Sequence, residues 1–483
     1  MDQQISNYTV KDSWHNKYIS PVNPPMIKPA LGFNRLSRLA VAGFIGVTLI
    51  TASLQHTSQS AEAVTWAKSY GGAQDENVFR SVIALSGGGH VIAGVTNSTG
   101  AGKNDIWILR LDATGAILWQ KTYGGTRSEE TRSIQETTDG GFVVTGPTNS
   151  FGSGANDIWV IKLNSAGVIQ WQKTYGGSSA DVPHSIQQTS DGGYVVAGFT
   201  KSFGAGLQDY FIIKLNSTGG VVWQKAYGGA DNEVIRYIKQ VSDGGYLAAG
   251  FTHSFGTKGD ILLIKLDADG NLEWDLRYGG AKFEEPSSIL EVADGYIIME
   301  QTGSFSGNTD GWVFKIRDDG QLDWQKRFGG GSFDELSAAL PTPDGGFISA
   351  GETKSFGAGA EDFWVVKFGS GGDIEWQKRY GGSKVEEAEA IATAPDGGYV
   401  VVGTTRSFSE GLRDIWTIRI DPAGNLSGCI AGVTVQNTTA NVAITSSAAT
   451  DTSTVATNTF ALAKNSSARI GDTNTNVSTQ CSS

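Results

Sequence analysis

The chain has 483 residues and a formal charge of −12, with 65 glycines, 13 tryptophans and only 11 prolines. That composition suits many short strands joined by glycine turns and excludes a proline-rich disordered linker protein. Residues 1–63 carry five Lys/Arg against three Asp/Glu, so the remainder holds −14; an acidic, well-spread surface argues against nucleic acid and anionic membrane as partners.

At the N-terminus Arg35 and Arg38 precede an apolar stretch from Leu39 to Leu54, a polar run and the small-x-small site Ala61-Glu62-Ala63. This is the pattern of an export signal cleaved after Ala63. The apolar stretch is interrupted by Thr and Ser and falls short of the roughly 20 apolar residues of a membrane span. The segment before Met26 is long for the charged part of such a signal, which makes Met26 an alternative start to Met1; an uncleaved anchor is the alternative to cleavage. The mature chain is expected to be secreted, periplasmic or at the cell surface, with no membrane span.

From residue 64 the motif Trp-x-x-x-(Tyr/Phe)-Gly-Gly recurs, its aromatic at Tyr70, Tyr123, Tyr175, Tyr227, Tyr278, Phe328 and Tyr380, at spacings of 50 to 53 residues. Self-similarity at such a period is the mark of a repeat architecture. Within one unit, Ser185–Thr189 and Tyr194–Thr200 flank the turn Asp191-Gly-Gly193 as a hairpin, strands a and b. Tyr210–Leu215 follows as strand c, and Asn216-Ser-Thr-Gly219 turns the chain into strand d, Val221–Tyr227. Four strands per unit make one blade, and blades set radially bury their faces on each other and remove long exposed edges. The expected fold is therefore all-β, a seven-bladed β-propeller of four-stranded antiparallel blades over residues 64–427. The strand-d tryptophans (Trp66, Trp119, Trp171, Trp223, Trp274, Trp324, Trp376) are expected to supply structural contact between blades. The array opens on a strand d, Val64–Tyr70, with no a, b or c before it, and leaves on a strand c, Ile415–Ile420, with no d after it. The orphan fits the vacancy, so the N-terminal strand completes blade 7.

The hairpin Leu111-Asp-Ala-Thr-Gly-Ala-Ile-Leu-Trp119 resembles the tryptophan-docking motif of pyrroloquinoline-quinone enzymes and their cofactor-free relatives. The whole unit, with Trp-Gln-Lys-x-Tyr-Gly-Gly and Asp-Gly-Gly-Tyr-Val-Val-Ala-Gly, more closely resembles a large group of exported prokaryotic propeller repeats, which implies the fold but no particular activity. The quinone resemblance would imply eight shorter blades, vicinal cysteines at the cofactor and an adjacent calcium site. This sequence has seven repeats and no cysteine within them, so no cofactor is expected.

Two acidic series recur in every unit: Glu76, Glu129, Asp181, Glu233, Glu284, Asp334 and Glu386 six residues after the motif aromatic, where cation binding is the alternative to a bracing role, and Asp105, Asp157, Asp209, Asp260, Asp310, Asp362 and Asp414 at the start of strand c. Seven copies point to loop bracing, and a constant Thr-x-Ser, such as Thr200 and Ser202, is placed to hydrogen-bond the strand-c series. Function is sought where the repeats disagree. Just before strand a the aligned residues are Arg80, Arg132, His184, Arg236, Ser287, Ser337 and Glu389, basic in the first four units. At a nearby position the later units carry Phe283, Phe333 and Val385. Because strand a lines the channel, its mouth is expected to carry a basic arc and an apolar arc, suited to a ligand with an anionic group and an apolar or sugar-ring face. Arg80, Arg132, His184, Arg236, Phe283 and Phe333 are the candidate binding residues. His184 and His253 could share a site across units 3 and 4. No metal site, nucleophile elbow or phosphate loop is present in the sequence.

Residues 428–483 change to a Ser/Thr/Asn-rich tail containing Cys429 and Cys481, the only cysteines. An exported chain with two suggests a Cys429–Cys481 disulfide. The leading functional expectation is an exported, non-enzymatic binding propeller for a glycan, small anionic ligand or protein at the face with the longer loops. The alternatives are a polysaccharide lyase or hydrolase at the channel mouth, and a structural scaffold of an envelope assembly.

Overall fold

The computed structural model describes residues 64–426, except residues 257–258, 306–307, 357–359 and 410–411, together with the backbone of short strands between residues 434 and 482. The signal region, Met26 and Cys429 lie outside the described residues, and so does any disulfide made by Cys429. No helix among the described residues is long and apolar enough to cross a membrane.

Residues 64–426 form seven four-stranded antiparallel blades arranged as a propeller. In blade 3 the strands are Asp181–Gln188, Tyr194–Thr200, Asp209–Leu215 and Val221–Gly228. Blade 7 takes Glu386–Thr393, Tyr399–Thr405 and Asp414–Ile420 from the end of the array and Trp66–Gly71 from its beginning. The closing register pairs Trp66 with Arg419 and Tyr70 with Ile415. Beyond the array, short strands pair antiparallel with the outer edge of each strand d, running back round the ring from Thr434–Asn437 on blade 6 to Asn476–Ser482 on the Trp66–Gly71 strand. They cover backbone edges that would otherwise present unpaired N–H and C=O groups.

Strands b and c are buried on both faces, successive residues going to opposite junctions, as Val195 and Ala197 do against Tyr194 and Val196; each junction encloses a buried cluster drawn from two neighbouring blades, as where Ala197 and Ile212 meet Ile235 and Leu262. The strand-d tryptophan works at the lower edge of this junction. A Cβ added to Gly115 would lie 2.8 Å from Trp66, and one added to Gly167 would lie 3.0 Å from Trp119. The same approach joins Trp171 to Gly219, Trp223 to Gly270, Trp274 to Gly320, Trp324 to Gly372 and Trp376 to Gly424. These glycines end the c–d turns of the following blades with φ near +70 to +78°, a conformation and a clearance that only glycine combines. The motif tyrosine secures the same turn, its hydroxyl donating to the glycine carbonyl: Tyr123 to Gly167 and Tyr175 to Gly219, each at 2.7 Å. The tryptophans of strand c, including Trp107, Trp159 and Trp416, are the more completely buried set.

A second device sits at the short a–b turns. A buried strand-c lysine reaches the turn aspartate, Lys162 to Asp139 at 2.8 Å and Lys214 to Asp191 at 2.7 Å. With the turn N–H bonds, these lysines hold Asp139 and Asp191 down at about 2, against desolvation, which acts the other way.

Blade 5 departs from the pattern. In the other six blades the fifth residue of strand b is glycine, and a Cβ there would lie 1.6 to 2.5 Å from a strand-a carbonyl oxygen. Blade 5 has Glu300 instead, fully buried, with no hydrogen-bond partner for either carboxyl oxygen. Burial, and then the negative charges of Glu284 and Asp260, push its carboxyl well above the usual range.

Two outcomes follow from this frame. Trp66→Ala should destabilise the ring by about 3–5 kcal/mol, the cost of a large aromatic truncated in a core; thermal unfolding indistinguishable from wild type would mean the closing strand carries no load. For Glu300, the unfolded carboxyl ionises near its ordinary value while the native one stays protonated, so its effect on stability worsens as pH rises above that value, by at most about 1.4 kcal/mol per pH unit. Glu300→Gln should therefore gain on wild type in melting temperature from pH 4 to pH 8, whereas a constant difference would show an ionised carboxylate in the native state.

Candidate ligand-binding site

The two repeating acid series shape the face with the longer loops. The strand-a acids accept hydrogen bonds from the motif glycine N–H and from the threonine ending strand b, as Glu129 does from Gly125 at 2.7 Å and from Thr148 at 2.9 Å. Ser202 likewise donates to Asp181 at 2.7 Å. The Thr-x-Ser pair thus serves the strand-a acid and not, as its position in sequence suggested, the strand-c aspartate. The register explains it: Thr200 stands between Asp181 on one side and Asp209 on the other, and its hydroxyl takes the strand-a side. The strand-c aspartates accept loop N–H groups instead, as Asp157 does from Ser153 and Gly154. In blades 4 to 6 they also pair with strand-d arginines Arg277, Arg327 and Arg379.

Three residues after its acid, strand a is interrupted by a bulge: register shifts fall at His184 in blade 3, Arg236 in blade 4, Ser287 in blade 5, Ser337 in blade 6 and Glu389 in blade 7. A bulge leaves one residue unpaired and re-aims its side chain. Phe79, Arg132, His184, Arg236 and Glu389 line a cavity of about 230 Å³ with Glu285, Gln301 and Glu335. Blade 1 has a longer irregularity, between Val78 and Val82, and it is Phe79 that lines the cavity. The side chain of Arg80 lies outside the described residues.

The basic residues of blades 2 to 4 therefore do converge, but each arginine has a carboxylate. Arg132 pairs with Glu130 at 2.7 Å and lies over the Phe79 ring at 4.6 Å. Arg236 pairs with Glu285, lies over Phe251 and contacts the His184 ring at 3.2 Å. Across the mouth stand acids where an apolar arc was expected. Phe283 packs edge-on against Phe251 and stacks on His253, and Phe333 lies under Lys354; neither lines the cavity, because their loop backbone sets them outside the bulge residues. His253, held by Phe283, does not join His184. His90 is buried at the other end of its blade, bonded to the Thr393 carbonyl, and burial lowers it to about 4.

Sequence reading missed Glu352, one position from the strand-b end of blade 6. Burial and the charges of Glu335, Glu361, Glu387 and Glu389 raise it to about 9, so it is a neutral acid at pH 7. Its signal was present in the alignment, where the equivalent residues are Val95, Pro147, Phe199, Phe251, Gln301 and Thr404. Beside the axial cavity, and sharing Phe79 with it, lies a second hollow of about 260 Å³ lined by Asp75, Asn77, Asn97, Asn104, Glu130 and Arg413. Among the described residues no group of three or more His, Cys, Asp or Glu is placed to hold a metal ion.

A scan against protein-family models finds no match to the chain, and a search of curated proteins finds none either.

Glu352→Gln gives a check on the electrostatics of the mouth. The native carboxyl is protonated up to about pH 9 while the unfolded one ionises near 4.5, so wild-type stability should decline across that window. The glutamine variant should melt higher than wild type at pH 8 and match it near pH 4. Equal melting at both pH values would place an ionised Glu352 in the native mouth.

Proposed function

We propose that the protein is an exported, non-enzymatic binding propeller whose ligand occupies the mouth of the axial channel on the face with the longer loops. The observation that carries this reading is the bulge. It turns His184, Arg236 and Glu389 toward a cavity that Arg132 also lines, while the bulge serines of blades 5 and 6 are buried and leave Glu285 and Glu335 at the wall, so the blades cease to agree there, basic in blades 2 to 4 and acidic in blades 5 to 7. Architecture needs no such divergence, whereas recognition of an asymmetric ligand does. The cavity has the size of a sugar ring or small organic molecule rather than a protein segment. The adjoining hollow, with three asparagines around the edge of Phe79, offers amide donors and acceptors suited to the hydroxyls of a glycan extending from the mouth.

A hydrolytic reading is favoured by one feature, the position of a neutral Glu352 among the carboxyl groups of Glu335, Glu361, Glu387 and Glu389, since glycoside cleavage uses a pair of carboxyl groups, one of them held protonated. The two readings part on product. Acidic and neutral glycans should bind without release of reducing ends or unsaturated sugars over hours of incubation. Time-dependent product that Glu352→Gln abolishes would establish the enzyme instead.

For the binding reading, Arg132→Glu and Arg236→Glu are the decisive substitutions. Each should weaken a glycan found to bind by ten- to a hundredfold, about 1.4–2.8 kcal/mol, with the fold intact by circular dichroism. Unchanged affinity in both would remove the mouth as the site.

A further inference from the structure

The opposite face, built from the short a–b and c–d turns, departs furthest from its own pattern between blades 5 and 6. At four of the seven junctions a residue at the end of strand a braces the turn of the preceding blade: Glu136 accepts from the Ser86 N–H, Gln188 from Thr138, Gln240 from Ser190 and Glu291 from Ser242, at 2.8 to 2.9 Å; at the two junctions of blade 7 the turn position is Pro343 or Pro395, which has no N–H to give. In blade 6 the corresponding residue is Pro341, which has no side chain to reach the turn of blade 5. That turn is itself shorter: Val292 pairs directly with Gly295 across Ala293 and Asp294, where the other blades carry a longer glycine turn. The tyrosine hydroxyl that ties each strand d to the next blade is also missing, because the motif aromatic of blade 5 is Phe328.

Two interblade contacts are thus absent at this seam, and the tyrosine of the second is present in the sequence at every other junction; beside the shortened turn a cleft of about 510 Å³ opens. Val292, Ile297, Trp324 and Pro341 form its apolar walls, and the backbones of Gly345, Gly346 and Gly371 let a ligand approach closely. The charged groups at its edge already have partners. Lys315 lies 2.7 Å from Asp294 and 3.1 Å from Asp323, and Glu291 accepts from Ser242 N–H and pairs with Lys239. The cleft therefore offers apolar area and an indole ring, with no unsatisfied charge for an ion to meet. Its volume lies within the range of small-molecule sites, which are mostly apolar with few polar groups.

We propose that the seam between blades 5 and 6 is a second binding site, for a small uncharged molecule presenting a flat apolar ring to Trp324. It is independent of the channel mouth, on the other face of the ring and built by different strand ends.

The test titrates the mature chain with N-phenyl-1-naphthylamine, a neutral ring probe whose fluorescence rises in an apolar site. Wild type should show one saturable site. Ser370→Trp and Gly371→Leu should fill the cleft and weaken the probe at least tenfold; at Gly371 an added Cβ meets its nearest neighbour only at 3.6 Å, so the fold should tolerate it. Arg132→Glu, at the other face, should bind the probe as wild type does. Two filling variants are used so that loss of binding can be read in one that keeps the wild-type melting temperature. No saturable binding by wild type up to about 1 mM, or saturable binding that neither filling variant weakens, would overturn the proposal.

Discussion

Everything in this molecule depends on the docking of one blade's strand-d aromatics on the c–d turn glycine of the next. The tryptophan ring covers the glycine and, in six of the seven motifs, a tyrosine hydroxyl is available to bond its carbonyl, as Tyr70 does to Gly115 and Tyr380 to Gly424. The contact is directional, blade n on blade n+1, so seven copies close only if the last finds a first. Trp66 and Tyr70 supply that closure, because the strand that begins the array is the outer strand of its final blade. A buried aromatic and a satisfied carbonyl at each junction give the ring both its area of contact and its angular spacing.

With the frame secured at the turns and by the acids that brace the loops, the axial positions are released from structural duty. The bulge in strand a makes this possible by lifting one residue out of the ladder, so that arginine, histidine, serine or glutamate can stand there without altering the pairing on either side. The charges at the mouth are the result. They are also mutually compensated on the basic side, where Arg132 and Arg236 each hold a carboxylate, and crowded on the acidic side, where Glu352 keeps its proton. Under the proposed binding role, a site of this kind would read the distribution of charge on a ligand more than its sign. The seam between blades 5 and 6 obeys the same logic in reverse: there the frame itself has lost contacts, and apolar surface that other junctions bury remains open.

Much of the fold was legible because its determinants are local and repeated. Glycine at the turns, aromatics four residues apart and a lone strand at each end are all features of sequence distance. The loop-bracing role of the acids was legible too, although not their partners, since Thr200 neighbours both Asp181 and Asp209 in space and only the direction of its hydroxyl decides between them. Phe79 stands nine residues after Tyr70, as Arg132 does after Tyr123, so its place was legible from the motif aromatic; aligning Arg80 there fails because the longer irregularity of blade 1 adds a residue to the count taken from the a–b turn. Glu300, Phe328 and Pro341 were visible as breaks in the pattern, yet their meaning lies in what they fail to contact on a neighbouring blade. The Asp-Gly-Gly turns read as turns alone, while the cation that anchors the aspartate lies more than twenty residues away, as Lys162 does from Asp139 and Arg419 from Asp396.

The sequence by itself determined the number of blades, the strands within each and the closure, because periodic burial and turn chemistry act within one unit and its immediate neighbour. Tertiary structure alone decided which side chains meet at the axis and at the seam. Those encounters join residues from different blades, about fifty or more positions apart, and a bulge, a short turn or a missing hydroxyl redirects them without leaving any trace in the period of the repeat.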